Sequence, residues 1–283
     1  MKKIRYIIPV FIFFQLSLSA QESDKAQYAL TTSHTTVGLG STKILDPYLS
    51  PFEYKGWQAK FQNISRKYFN PANENLSYNH KGFLGGGIAT HPQGSNIMYF
   101  FDVNYAFGIN YHFRPFDRLT ILAGGSWDVN FGGKYLARNV NNPFSLDLCT
   151  NLNATAEAQY AFNLWKQEFR LQYGVQTPLA GYMMVPQQGS TYYEMFVLKN
   201  LNDVFHLSSL HNKRAFYQYF NIDIPTKIAT FRVGVSHDFL RYSANEMVFR
   251  DNGLVFHLGS VVDIYTFRGK KKKIPENFIR TYE

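Results

Sequence analysis

The sequence predicts an all-β fold, an antiparallel transmembrane up-and-down β-barrel of about ten strands. Three observations carry this. Long segments alternate residue by residue between an apolar and a polar face, as a strand with one greasy side must. Asn, Gln, Asp, Glu and Arg sit deep inside the polar face while aromatics gather at the ends of the apolar face, the pattern of a polar lumen and a lipid band between aromatic girdles. The chain opens with a secretory leader, and no later run reaches the roughly 18 apolar residues of a membrane helix.

The leader is the first element. Lys2, Lys3 and Arg5 form its basic start, Ile7 to Leu18 its apolar stretch, and small residues lead to Ala20 before Gln21. Residues 1–20 are therefore expected to be a cleaved signal peptide, residues 21–268 the barrel, and residues 269–283 a basic tail. No Cys stands directly after the apolar stretch, which argues against a lipoprotein anchor.

The clearest strand is 96–113. Ile97, Tyr99, Phe101, Val103, Tyr105, Phe107, Ile109, Tyr111 and Phe113 fall on one face, and Asp102, Asn104, Asn110 and His112 on the other. Segment 118–134 repeats this with Leu119, Ile121, Trp127, Val129 and Phe131 against Thr120, Ser126, Asp128 and Asn130. Leu152, Tyr160 and Leu164 mark the apolar face of 146–165, and Phe169, Leu171 and Tyr173 that of 168–183. Weaker patterns give strands at 28–40, 54–67, 77–91 and 212–224, and stronger ones at 227–242 and 253–268. In the last strand Leu254, Phe256, Leu258, Val262 and Ile264 are assigned to lipid, because Asp263 and His257 would be costly there. Tyr265 and Phe267 pull the other way. Twelve strands is the alternative if the segment after residue 183 hides a hairpin. These segments outrun the five or six residues usual in soluble sheets. Lipid also forbids an open sheet edge, which leaves closure.

Connections sort into two alternating kinds. Segments 114–117, 165–167, 225–226 and, more loosely, 68–76 read as short turns. Segments 41–53, 92–95, 135–145, 184–211 and 243–252 read as the opposite end. Outer-membrane barrels keep short turns in the periplasm and long loops outside, so both termini are expected in the periplasm and 184–211 over the outer mouth. The segment 92–95 is short for the outer side.

Composition narrows function by exclusion. The formal charge is +9, with the leader contributing three of those charges and Lys270 to Lys273 four, and no nucleic-acid motif accompanies them. Cys149 is the only cysteine, so no internal disulfide is available. The histidines show no metal-ligand spacing, and Gly85-Gly86-Gly87 lacks the helix and Lys-Ser/Thr of a phosphate loop. No cofactor and no metal are expected.

Several pieces are familiar together: Leu39-Gly40-Ser41-Thr42 leading into Leu45-Asp46-Pro47-Tyr48-Leu49-Ser50-Pro51, then Tyr54-Lys55-Gly56-Trp57, and later Ser208-Ser209-Leu210-His211-Asn212-Lys213. They resemble an uncharacterised family of Bacteroides-type exported proteins, the domain-of-unknown-function family 3316, over most of the mature chain. That resemblance implies an outer-membrane place in a Gram-negative envelope and lends no catalytic residues.

Candidate sites follow from the faces. Asp102, Asp128, Glu157, Arg170, Arg232, Asp238 and Asp263 should point into the lumen. There they either select solutes or pair and close a narrow bore. At the outer mouth the candidates are Asp46, Tyr48, Glu53, Tyr192, Tyr193, Glu194 and His206, polar tips on aromatic bodies that suit a glycan, peptide or lipid, or that simply pack the loops together. The expected partners are outer-membrane lipid and the outer-membrane assembly machinery. The function expected is a narrow channel or a surface-binding protein, not an enzyme. The alternative is a surface acyl hydrolase using His206-Leu207-Ser208, with Asn212 or Glu194 orienting the His.

Overall fold

A computed structural model describes residues 28–140, 142–164, 167–226, 229–264 and 278–281. The expected leader, Tyr265, Phe267 and the Lys270–Lys273 cluster lie outside the described residues. In chain order the strands are β1 (Tyr28–Ala29), β2 (Thr31–Leu45), β3 (Glu53–Asn70), β4 (Asn73–Thr90), β5 (Ile97–Phe116), β6 (Leu119–Leu136), β7 (Phe144–Leu164) and β8 (Gln167–Met184). After helix α1 (Tyr192–Phe196) come β9 (Phe205–Ser209), β10 (Lys213–Pro225), β11 (Thr230–Ala244), β12 (Met247–Ile264) and β13 (Phe278–Ile279).

Ten of these strands form the wall, β2 to β8 and β10 to β12, each antiparallel to its neighbours. β12 returns to β2, pairing from Arg250↔Leu45 to Ile264↔Thr31, so the sheet closes on itself. Closure gives each of the ten wall strands a neighbour on both sides, as a wall in lipid requires. All ten expected strands are present, most of them a few residues longer than the sequence pattern suggested.

Three expectations change. The segment 243–252 is not a long loop. β11 and β12 run on to a two-residue turn at Asn245 and Glu246, whose φ angles of 50° and 63° fit the tight hairpin turn that matches strand twist. The looser 68–76 connection is likewise a tight turn between Asn70 and Asn73. The twelve-strand alternative fails, because residues 185–204 hold α1 and no hairpin.

The eighth wall position is a broken strand. β9 pairs with the upper part of β8, from Ala180↔Ser209 to Met184↔Phe205, and β10 resumes lower down from Tyr217↔Gln176. Between them the chain bulges at Leu210–Asn212. Asn212 holds the bulge, accepting from Ser209 N at 2.9 Å and donating to the Leu207 carbonyl at 2.9 Å. Opposite, Pro178 removes one backbone donor where the ladder is interrupted, and Thr177 Oγ1 donates to the Ala215 carbonyl at 2.9 Å.

The outward faces carry the expected apolar band, including Leu39, Trp57, Leu84, Tyr99, Leu152 and Phe256, all exposed. In β12 the even residues from Leu254 to Ile264 are outward and Val255 is buried within, as assigned from Asp263 and His257. No helix among the described residues is long and apolar enough to cross a membrane; the crossing is made by strands. The protein is an outer-membrane β-barrel.

At the short-turn end the chain folds back on the barrel. β13 pairs in parallel with β1, the Thr281 hydroxyl donates to Thr32 Oγ1 at 3.0 Å, and Arg280 meets Asp263 at 3.4 Å.

Candidate functional site

Inward side chains are polar along most of the bore because alternation puts one face of every strand there. Their charges pair. Lys60 of β3 reaches Asp238 of β11 at 2.7 Å. Arg66 of β3 grips Glu157 of β7 with two bonds, at 2.8 and 3.1 Å. Neither pair joins neighbouring strands, so both bars cross the lumen. Lower down, Arg232 bonds Asp223 at 2.7 and 2.8 Å. Asp128 accepts from Asn151 and Asn153, both at 2.7 Å. Thr32 donates to Asp263 at 2.7 Å.

The seven lumen candidates thus all line the interior. They do not form one cluster; they are spread along its length, mostly against partners the sequence reading did not name. Asp102 lines a cavity of about 90 Å³ with Asn130, Asp147, Cys149, Lys213 and Asp251. Arg170 opens instead onto a vestibule of about 840 Å³ at the short-turn end.

At the long-loop end the inward face changes character. Ile44, Tyr54, Ala89, Met98, Leu136, Met183, Met247 and Phe249 all point inward at the strand tops and are buried. Tyr48 and Leu49, from the 46–52 connection, fold down onto them. The result is a small hydrophobic core set into the mouth of the barrel. Below it, Lys134 ion-pairs with Asp46 at 3.2 Å and bonds Asp147.

The outer-mouth candidates separate accordingly. Asp46 is fully buried and turns the loop, accepting from Tyr48 N at 3.1 Å. Burial raises its carboxyl above the ordinary value, with Lys134 opposing that shift. Tyr48 is buried, its hydroxyl donates to the Ser190 carbonyl at 2.7 Å, and its ring meets Tyr192 edge-on at 6.0 Å. Burial and the carboxylates of Asp46 and Glu194 push that hydroxyl up to about 12, so it remains a donor. Tyr192 OH accepts from Leu146 N at 2.6 Å. Glu194 completes a capping box with Thr191, Glu53 starts β3, and Tyr193 is exposed away from Tyr48. Asp46, Tyr48 and Tyr192 come together; Glu53, Tyr193 and His206 do not join them.

His206 and Ser208 share the inward face of β9. His206 Nε2 lies 3.3 Å from the Val185 carbonyl, while Asn212 and Glu194 are engaged in the bulge and the helix cap. His206, Ser208, Asn212 and Glu194 therefore do not assemble into a relay.

Outside the seal, three connections frame a groove of about 430 Å³. Phe52, half exposed, stands edge-on to His91 at 4.8 Å. Gln93, Asn96, Arg138 and Asn139 complete the polar wall. Asn139 donates to the Leu49 carbonyl at 3.3 Å, tying the groove floor to the seal. The groove is not legible in the sequence, because its residues come from three separate turns.

A family model matches residues 6–271. The chain belongs to DUF3316, a family described as proteins of unknown function. No curated protein matches it. Among solved structures, the outer membrane protease OmpT from Escherichia coli is similar at TM-score 0.48 and 8% identity, covering 83% of this chain and 97% of that one. The transport unit of the autotransporter AIDA-I from Escherichia coli is similar at TM-score 0.42 and 11% identity, over 89% and 94%. Ail of Yersinia pestis is similar at TM-score 0.28 and 8% identity, over 82% and 98%.

Proposed function

We propose that this member of DUF3316 is a non-conducting surface-binding protein, a barrel inserted by the outer-membrane assembly machinery that displays a ligand groove to the exterior. The observation that carries this reading is the hydrophobic seal. Tyr48, Leu49 and the ring of apolar strand tops occupy the place where a pore would need water, and cross-bore ion pairs fill the lumen below. Binding is then left to the surface. The groove offers one aromatic face, Phe52, and donors from Arg138 and Gln93, which suits a saccharide presenting a ring face and hydroxyl or carboxylate oxygens.

Two measurements on refolded protein test this. A planar-bilayer recording should show no steady conductance; a steady open level would favour the channel instead. A glycan array should show capture that Phe52→Ala and Arg138→Ala reduce without lowering thermal stability. Wild-type binding by both variants would place the site elsewhere, and ester cleavage lost in Ser208→Ala would restore the hydrolase alternative.

A further inference from the structure

We propose that the segment from α1 to Leu201 lies in the outer leaflet of the membrane, with its free face against lipid acyl chains rather than water. The segment has two apolar sides. On one, Met195 is buried with Met184 and Val204 over Leu146 and Leu148. Those two leucines are on the outward face of β7, the face that shows Leu152 to lipid.

The register gives their depth. Tyr99 of β5 pairs with Tyr135 of β6, and Tyr135 with Phe144 of β7. Both tyrosines are exposed on the outer wall, where a girdle at the membrane edge belongs. Leu146 and Leu148 follow Phe144 toward the middle of the strand, in register with Gly133 and Phe131, and through them with Phe101 and Val103. Phe101, Phe131 and Val103 are lipid-facing. The helix therefore covers a part of the wall that sits at lipid depth.

Its other side is equally apolar. Phe196, Val197, Leu198 and Leu201 are 55%, 59%, 61% and 44% exposed. A patch of this kind facing water would be unusual on a soluble surface. Here it continues into Phe205 and Leu207 of β9 and Tyr182 of β8, with Tyr182 directly opposite Leu207. That continuity with the lipid-facing wall is what favours lipid over a protein partner. The polar residues fit an interfacial element. Glu194 spends its carboxylate on the helix cap, and Lys199 has a stem long enough to carry its ammonium to the headgroups.

The test uses full-length protein in phosphatidylcholine vesicles. In a Cys149→Ser background, Leu198→Cys carries an environment-sensitive nitrobenzoxadiazole label, and Val197→Cys serves as a second position. Leu152→Cys is the lipid reference and Gln187→Cys the water reference. Heat-modifiable gel mobility selects folded barrels. The expected result is quenching by doxyl-labelled lipid at Leu198 and Val197 comparable to Leu152, with a matching blue shift and little quenching by iodide. Iodide quenching like that at Gln187, with no lipid quenching, overturns the proposal. Protection from both quenchers overturns it too, and points to a protein or a second copy covering this face. Neither result bears on the groove, so the two readings stand or fall separately.

Discussion

Asp46 has no exposed surface, and its Oδ2 lies 3.2 Å from the ammonium of Lys134, which also holds Asp147. One cation thus serves two carboxylates beneath the hydrophobic seal. Removing the cation and removing one carboxylate should differ sharply. Lys134→Met leaves the buried Asp46 and the half-buried Asp147 without their shared counter-charge and should cost about 3 kcal/mol. Asp46→Asn keeps a one-to-one pair and should cost about 1 kcal/mol. Urea titration of the folded barrel in lipid measures both, and equal losses would contradict the shared-cation arrangement. The pH sign follows from the raised Asp46 carboxyl. A folded-state value above the unfolded one means stability is gained as pH falls through the folded value and lost as pH rises through it. Mild acid should therefore tighten the seal relative to Asp46→Asn, which lacks this dependence.

Cys149 reports on the seal from below. The thiol lines the cavity beneath Tyr48 and Leu49, 3.4 Å from the Lys213 ammonium. A membrane-impermeant methanethiosulfonate added outside intact cells should leave it unmodified. A Tyr48→Ala/Leu49→Ala double variant should be labelled at least tenfold faster, about the change expected for roughly 1.4 kcal/mol of easier opening. Fast labelling of the parent protein would show that water already passes the mouth.

Much of this was readable in the sequence, and what was not has physical reasons. The nine odd residues from Ile97 to Phe113 declare a lipid face, because nothing but lipid rewards so long a stripe on the outside of a sheet. The seal left a fainter trace. Met98, Ile44 and Leu136 share the parity of the polar face and sit only at strand tops, so each reads as a lapse in alternation until closure brings them together. The cross-bore partners were hidden for a related reason: Lys60 and Arg66 lie far from Asp238 and Glu157 in sequence, and only the curvature of the wall makes them neighbours. The turn at Asn245-Glu246 leaves no signal in the sequence because Asn-Glu lacks the glycine that usually announces positive φ. The resemblance pieces around Tyr48 and Tyr54 map to the seal, and the piece from Ser208 to Lys213 to the bulge in the wall.

The Arg66–Glu157 bar tests which layer controls permeation. Glu157 also accepts from Gln159 and Tyr219, so losing Arg66 strands a carboxylate that remains partly solvated by donors. Arg66→Met should destabilise by about 3 kcal/mol, and adding Glu157→Gln should restore part of it. Neither variant alone should conduct, because the seal above is intact. Combined with Tyr48→Ala/Leu49→Ala, the pair should show discrete openings in a planar bilayer. Conductance from Arg66→Met alone would move the barrier from the mouth to the bar.

The lipid wall itself can be tested at two adjacent residues. Val103 is exposed on the outward face of β5, pairing with Phe131 and Leu84, which are also outward. Asn104 points the other way and donates to Asn130 Oδ1 at 3.3 Å inside the bore. An arginine at Val103 must carry its guanidinium through hydrocarbon to reach water, at about 2–4 kcal/mol near mid-depth. An arginine at Asn104 enters a polar interior with Asp102 and Asp128 on the same inward face, so its charge meets acids instead of lipid. Val103→Arg should therefore reduce the heat-modifiable, membrane-assembled fraction far more than Asn104→Arg does. Both variants carry the same added charge and nearly the same position in the chain, so synthesis and export should affect them alike. Equal assembly of the two would mean that the odd-numbered face of β5 does not meet lipid, and the orientation of the whole wall would be reversed.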